Sequence, residues 1–296
     1  MGETAALRGR TVLLTGGSDG IGLEIVRVLA GAGARILLPV RDREKGDAAI
    51  DRIRGTAPDA RIEPLDLDLA RLDSVDALAA LLLERGEPIG ALVLNAGIIA
   101  AGDGRPRRTV DGFDRTIQTN YLGHAALTLR ILQLLRAGRA RVVAQSSLAA
   151  SGARRLDVDA LWATPRRPYP ASKIAIGMLA LELDRRGAAE GWGVTGRVCH
   201  PGVAPGSAIA PGLRARLPRG LVRWGSAHLG NPPALAAQPA IAALLAEGPE
   251  PRMHAPGGPF GLAGPPIERA PFPSIADPGT ARRLWDETVR RLDVAP

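Results

Sequence analysis

Lysine is almost missing from this chain: its 296 residues hold two, Lys45 and Lys173, against thirty-six arginines, and the net charge is +8. A basic balance of that size raises nucleic acid as a partner. The arginines, however, are scattered among Asp and Glu through every segment, and only 3% of residues are aromatic, too few to build a base-stacking platform. Nucleic acid is therefore excluded, and the densest basic cluster, at 105–108, reads as a solvated loop. Cysteine occurs once, at Cys199, which rules out an internal disulfide and a cysteine metal cage and suits a reducing compartment. No apolar run approaches the roughly 18 residues of a membrane span. The opening residues carry neither an apolar core nor a small-residue cleavage site, so no signal peptide is expected and the chain is assigned to the cytoplasm. His124, His200, His228 and His254 lack metal-ligand spacing, so no metal is expected.

What is present is 46% apolar and 23% charged, the balance of a globular protein. Short, nearly continuous apolar runs at 11–15, 35–40, 61–65, 91–95, 140–145 and 194–199 read as buried strands, as a parallel sheet covered on both faces requires. Segments of helical period lie between them, the clearest at 111–135, where Phe113, Ile117, Tyr121, Ala125, Leu129 and Leu132 share a face. The sum predicts an α/β fold, one Rossmann-like doubly wound parallel sheet. Beyond Pro201 the composition turns rich in Pro and Gly around one helical stretch at 233–247. Residues 206–275 are read as a substrate lid, with Leu213, Leu217, Leu221, Val222 and Trp224 as its apolar residues, and 276–296 as a closing C-terminal helix. The whole chain, 1–296, is expected to be a single dinucleotide-binding domain with its core at 8–205.

The first strand runs into Thr15-Gly16-Gly17-Ser18-Asp19-Gly20-Ile21-Gly22, followed at once by a helical pattern. Glycines allow a tight turn and close backbone approach to a pyrophosphate, whose charge meets the free amides and positive dipole of the helix N-terminus. An ordinary glycine-rich turn would look the same. At the end of the second strand a carboxylate would accept from a ribose 2′-hydroxyl, whereas an arginine pairs with a 2′-phosphate. Here Val40 is followed by Arg41, and NADP is favoured over NAD; Asp42 suits a helix N-cap. In a chain with two lysines and two tyrosines, one of each stands four residues apart, as Tyr169 and Lys173. That spacing puts both on one helix face. A nearby ammonium, with the nicotinium charge of an oxidised cofactor, is expected to lower the phenol pKa by about 1 to 3 units, within reach of proton exchange with a carbonyl or alcohol. Ser146 and Ser147, at the end of the fifth strand, offer hydroxyls at the same sheet edge.

Taken in order, these motifs resemble the short-chain dehydrogenase/reductase family: TGxxxGxG at Gly16, Gly20 and Gly22, then Asn95-Ala96-Gly97, then Tyr169-Pro170-Ala171-Ser172-Lys173. Asn120-Tyr121-Leu122-Gly123-His124 and Cys199-His200-Pro201-Gly202 look like its retinol dehydrogenase-like and protochlorophyllide reductase-like branch, as does the long interval from Ser147 to Tyr169. The resemblance implies a cofactor site of Gly16, Ser18, Asp19, Gly20, Ile21, Gly22, Arg41, Asp66, Leu67, Asn95, Ala96, Gly97, Tyr169, Lys173, Pro201, Gly202 and Val203, with Asp66 and Leu67 on the adenine. It implies catalytic roles for Asn120, Ser147, Tyr169 and Lys173, with Ser146 as the fallback for Ser147. Gly206 and Ser207 stand where many relatives have a threonine. Hydride transfer between NADP and a carbonyl or alcohol of an apolar or polycyclic small molecule is the expected activity. A redox-neutral epimerase, dehydratase or cyclase and a non-catalytic dinucleotide-binding protein are the alternatives. Relatives associate through helices corresponding to 111–135 and 169–186, which implies a possible homodimer or homotetramer.

Overall fold

A computed structural model describes residues 7–100, 104–105, 107–152, 155–163, 165–204, 230–248 and 253–294. Strand β1 (Thr11–Leu14) leads to α1 (Gly20–Gly31), β2 (Arg35–Val40) to α2 (Arg43–Arg54), and β3 (Arg61–Asp66) to α3 (Leu72–Arg85). β4 (Ala91–Leu94) precedes a helical run, β5 (Arg141–Gln145) is followed by α8 (Pro168–Ala189), and β6 (Thr195–Cys199) comes next. The strand order is β3-β2-β1-β4-β5-β6-β7-β8, where β7 is Met253–Pro256 and β8 is Pro266–Arg269. All pairings are parallel except β7 with β8. The chain order reverses between β1 and β4, so a crevice opens at their carboxyl ends, the position where doubly wound sheets bind ligands.

The six predicted strands are present within a residue of the expected bounds; β1, β2, β4 and β5 are buried along nearly their whole length, whereas the edge strand β3 buries only Ile62 and Leu65. The sheet differs from the six-strand expectation at its far edge. β7 and β8 lie inside the stretch read as a lid, and β8 runs antiparallel. Proline at the strand ends, Pro256 and Pro266, makes these four-residue strands look like loop in the sequence. The helical stretch at 233–247 is two helices, α9 (Pro233–Ala236) and α10 (Gln238–Leu245), which pack with α1 in one of the two apolar cores. Gly206, Ser207, His228 and the five apolar residues assigned to the lid lie outside the described residues.

The region 111–135 is not one helix either. Asp114 caps a single turn, α4 (Arg115–Ile117), accepting from the amides of Thr116 and Ile117. A π-helical turn, Gln118–Leu122, leads into α5 (Gly123–Arg130), and a break at Ile131 precedes α6 (Leu132–Ala137). Nearly every residue here is buried, so the hydrophobic period runs through the interruptions and conceals them. After a short helix α7 (Val158–Trp162), α8 starts with Pro168 at its first turn, a position that suits a missing amide. It is buried almost all round, with the sheet on one side and two C-terminal helices on the other, α11 (Pro273–Ala276) and α12 (Pro278–Leu292). Ala281, Leu284, Trp285, Thr288 and Leu292 form the buried face of α12, as the sequence period predicts.

Candidate active site

A cavity of about 1140 Å³ occupies the crevice. Its floor is the turn between β1 and α1, and that turn has no room for a side chain at its glycines Gly16 and Gly22. Gly16 has φ +69°, and a Cβ there would lie 2.8 Å from the Ala96 Cα. A Cβ on Gly22 would lie 2.0 Å from the Gly16 carbonyl oxygen. Asn95 ties the turn to β4, its Nδ2 donating to the carbonyls of Thr15 (2.9 Å) and Gly16 (3.0 Å). Gln145 Nε2 in turn donates to Asn95 Oδ1 at 2.7 Å. The Thr15 hydroxyl accepts from the Asn95 and Ala96 amides, each at 3.1 Å. Ser18, Asp19, Gly20 and Ile21 face the cavity together with the start of α1, whose positive dipole end and free amides suit a pyrophosphate. A turn packed this closely against the protein, presenting its backbone at a helix N-terminus, fits a dinucleotide.

Along the cavity toward β2, Arg41, Asp42 and Lys45 line the wall, and the Asp42 side chain caps α2 by accepting from the Lys45 amide at 3.1 Å. Leu67 lines the cavity as expected; Asp66 does not. The Asp66 side chain is 84% exposed and lies 3.8 Å from Arg43. Asp68 and Leu69 face the cavity instead. Asp66 is the last residue of β3, and the cavity wall begins with the residues after it. Pro201, Gly202 and Val203 line the opposite rim, where the Val203 amide donates to the Leu262 carbonyl at 2.8 Å.

On the wall made by β5 and α8, Tyr169, Lys173 and Ser147 converge on the cavity. Tyr169 stands in the first turn of α8, and Lys173 Nζ lies 6.0 Å from its ring centre. Nζ donates to the Gln145 carbonyl at 2.9 Å. Burial pulls the Lys173 ammonium down to about 8. Burial pushes the Tyr169 pKa above its ordinary value, and the hydrogen bond with the Ser147 side chain only partly opposes this. The two serines divide cleanly: Ser146 is buried and its hydroxyl donates to the Lys173 carbonyl at 2.7 Å, leaving Ser147 to meet Tyr169.

Asn120 sits in the π-helical turn, a helix irregularity often found at functional sites. Its side chain accepts from the Ile98 amide (2.8 Å) and donates to the Ile98 carbonyl (3.0 Å) and to Ser172 Oγ (3.0 Å). Ser172 Oγ donates to the Tyr169 carbonyl at 2.8 Å. Gly97 keeps the space between these groups open, since a Cβ there would come within 3.1 Å of Lys173 Nζ and 3.5 Å of Asn120 Oδ1. Three supporting residues escaped the sequence reading: Thr15, Gln145 and Ser172. The only available signal was their position next to quoted motifs.

A doubly wound sheet with a glycine turn, a lysine and a tyrosine at its carboxyl edge defines a dinucleotide-binding oxidoreductase of NAD(P) type. A profile of the short chain dehydrogenase family spans residues 10–215. The chain belongs to that family, is of its retinol dehydrogenase-like type, and is an NAD(P)-dependent dehydrogenase/reductase. It is 35% identical over 300 residues to "Retinol dehydrogenase 13" of Homo sapiens, covering 97% of this chain and 85% of the relative. Among solved structures it is similar to a putative uncharacterized protein from Mycobacterium Paratuberculosis, with TM-score 0.75 and 29% identity over 98% of this chain and 97% of that one. It is also similar to the RhlG/NADP active-site complex of Pseudomonas aeruginosa, with TM-score 0.64 and 26% identity over 95% and 100% of the two chains.

Proposed function

We propose that this chain is an NADP(H)-dependent oxidoreductase that moves hydride between the nicotinamide and a carbonyl or alcohol carbon of an apolar or polycyclic small molecule, with Tyr169 as general acid and base. The observation that carries this is the convergence of the Tyr169 phenol, the Ser147 hydroxyl and the Lys173 ammonium on the cavity that also holds the glycine turn. Bound NADPH supplies the hydride. In reduction Ser147 orients the substrate oxygen, Tyr169 gives it a proton, and Lys173 restores that proton through the space that Gly97 keeps open beside Asn120. A phenol whose pKa is held high by burial is protonated at neutral pH, the state a proton donor needs.

NADP over NAD is supported by Arg41 and Lys45 on the cavity wall, by the role of Asp42 as a helix cap, and by likeness to a protein whose solved complex contains NADP. An apolar substrate is supported by a second hollow of about 540 Å³ that begins at Leu148, one residue beyond Ser147, and is walled by Pro256, Phe260, Ile267 and Phe272. Cytoplasmic residence rests on the lone Cys199, buried with its thiol pushed up to about 12 and so unreactive. Among the described residues no helix is long and apolar enough to cross a membrane. A homodimer or homotetramer through α8 would first meet α12. That helix already covers it, with Arg186 over the Trp285 ring at 4.9 Å and paired with Asp286 at 3.0 Å.

The deciding experiment is an absorbance screen of ketones, aldehydes and quinones with NADPH and with NADH, with Tyr169→Phe beside the unsubstituted chain. The expected result is faster consumption of NADPH than of NADH and a kcat loss of about 10²- to 10⁴-fold in the variant. A variant that keeps its full rate would remove Tyr169 from the chemistry. Substrate conversion without any change in absorbance would make the enzyme redox-neutral.

A further inference from the structure

His124 belongs to none of the roles assigned so far, yet it joins two parts of the site. It lies on α5, one turn beyond Asn120, and its ring is completely buried. Nδ1 is 3.1 Å from the Asn120 main-chain oxygen, and Nε2 is 2.9 Å from Thr15 Oγ1. A carbonyl oxygen can only accept, so Nδ1 must carry a proton and donate it. Thr15 Oγ1 already accepts from the amides of Asn95 and Ala96, which occupy both its lone pairs. A second N–H from the imidazole would be a third donor on that oxygen. The ring is therefore neutral with Nε2 bare, and the Thr15 hydroxyl donates to it in preference to the more distant Val93 carbonyl at 3.3 Å. Burial, helped by the nearby Lys173 charge, draws the imidazole down to about 4, consistent with this neutral form.

We propose that His124 is a positioning residue for the proton path. It holds the Asn120 carbonyl in a fixed direction and anchors it to the hydroxyl that welds the cofactor turn to β4. The inference rests on the oxidoreductase reading above. The Asn120 side chain is fixed by Ile98 and Ser172, and its carbonyl lies within a π-helical turn where the regular helical hydrogen-bond register is broken. By donating to that oxygen His124 holds the turn that carries the Asn120 side chain, whose Oδ1 and Lys173 Nζ both lie within 3.5 Å of where a Gly97 Cβ would stand. Through Thr15 the same ring senses the turn that cradles the dinucleotide. Its two nitrogens are both engaged, so it aligns the path without passing the proton itself.

Two isosteric substitutions separate the two bonds. In His124→Asn the side-chain amide stands where Nδ1 was and can donate to Asn120; in His124→Gln it stands where Nε2 was and reaches only Thr15. With NADPH and the fastest carbonyl of the screen, His124→Gln is expected to lose kcat by about tenfold or more, at unchanged substrate KM and NADPH dissociation constant. Its solvent deuterium isotope effect should rise as proton resupply becomes slow. His124→Asn should keep most of the rate, although both variants lose a buried hydrogen bond and melt earlier. Equal loss in both variants, or a His124→Gln that keeps the parent rate and isotope effect, would overturn the proposal. Nitrogen-15 NMR of the unsubstituted chain without cofactor decides independently of activity. Protonated Nδ1, bare Nε2 and no titration above pH 5 are expected, and the opposite tautomer would end the argument. A chain that reduces no carbonyl sinks the oxidoreductase reading, while the NMR result still decides the geometry on which His124 depends.

Discussion

The two walls of the cleft hold their shape by different means. On the side of β1, α1 and β4 the contacts run through backbone and a few neutral groups: Asn95 on the carbonyls of Thr15 and Gly16, two amides on Thr15, and no room for a Cβ at Gly16 or Gly22. On the side of β5 and α8 the shape depends on ionisable side chains taken out of water. There Lys173 is drawn down to about 8 and Tyr169 is pushed up by the same burial. The first wall is a fixed surface whose failure is steric. The second is a set of proton equilibria whose failure is electrostatic, and substitutions in the two walls should fail in correspondingly different ways.

The largest separation comes from Gly22→Ala. The added methyl would lie 2.0 Å from the Gly16 carbonyl oxygen, a backbone atom that can move only with the whole turn. NADPH affinity should fall by about a hundredfold, and stability by about 1–3 kcal/mol, as overpacking does. Fluorescence titration and thermal unfolding measure the two. Full NADPH affinity in this variant would show that the turn yields easily, and the contrast between the walls would disappear.

The second test uses pH on the opposite wall. Below about 8 Lys173 holds its proton, and above it the ammonium is lost. The reductive kcat should therefore fall as pH rises through this value, by up to about tenfold per unit. Stability should move the other way. The folded pKa of Lys173 is lowered from 10.5 to about 8, so between those values the unfolded chain binds more protons and folding gains from each rise in pH. Opposite slopes of rate and melting temperature over that window are the signature of a buried ammonium. Parallel slopes would place the rate-controlling group elsewhere.

Sequence reading followed the same division. The glycine turn was legible because a turn without room for a Cβ can be written only with glycine. The pair Tyr169 and Lys173 was legible because helical spacing puts them on one face. Residues whose role depends on distant partners were not. Asp66 was placed beside the adenine from its position after the third strand, which does not tell that its side chain is exposed. The rise of the Tyr169 pKa depends on burial by the surrounding fold, which no local pattern encodes. β7 and β8 were hidden by the prolines that end them, and the π-helical turn around Asn120 by a hydrophobic period that continues through it. His124 carried no signal beyond the lack of metal-ligand spacing, and it is fully buried. Its partners, Thr15 and the Asn120 carbonyl, meet it only when β1 and α5 come together.

The smallest effect concerns how the catalytic wall is backed. Tyr121 is completely buried, and its hydroxyl lies 2.6 Å from Thr288 Oγ1 on α12. Thr288 already donates to the Leu284 carbonyl at 2.7 Å, so its oxygen has lone pairs to offer and Tyr121 is the donor. Burial raises the pKa of this phenol well above its ordinary value, which keeps the proton in place at any working pH. Tyr121→Phe removes one buried neutral hydrogen bond and leaves the ring packed, a loss of about 1 kcal/mol. For a chain of this size that lowers the melting temperature by about 2–4 °C. Because α12 contacts α8 chiefly through the apolar face of Ala281, Leu284 and Trp285, the helix should stay docked, and kcat, KM and the pH profile should not change. A shift of the kinetic pKa in this variant would mean that the seal by α12 sets the protonation of the wall it backs. Burial of Lys173 would then depend on a single hydrogen bond to the far end of the chain.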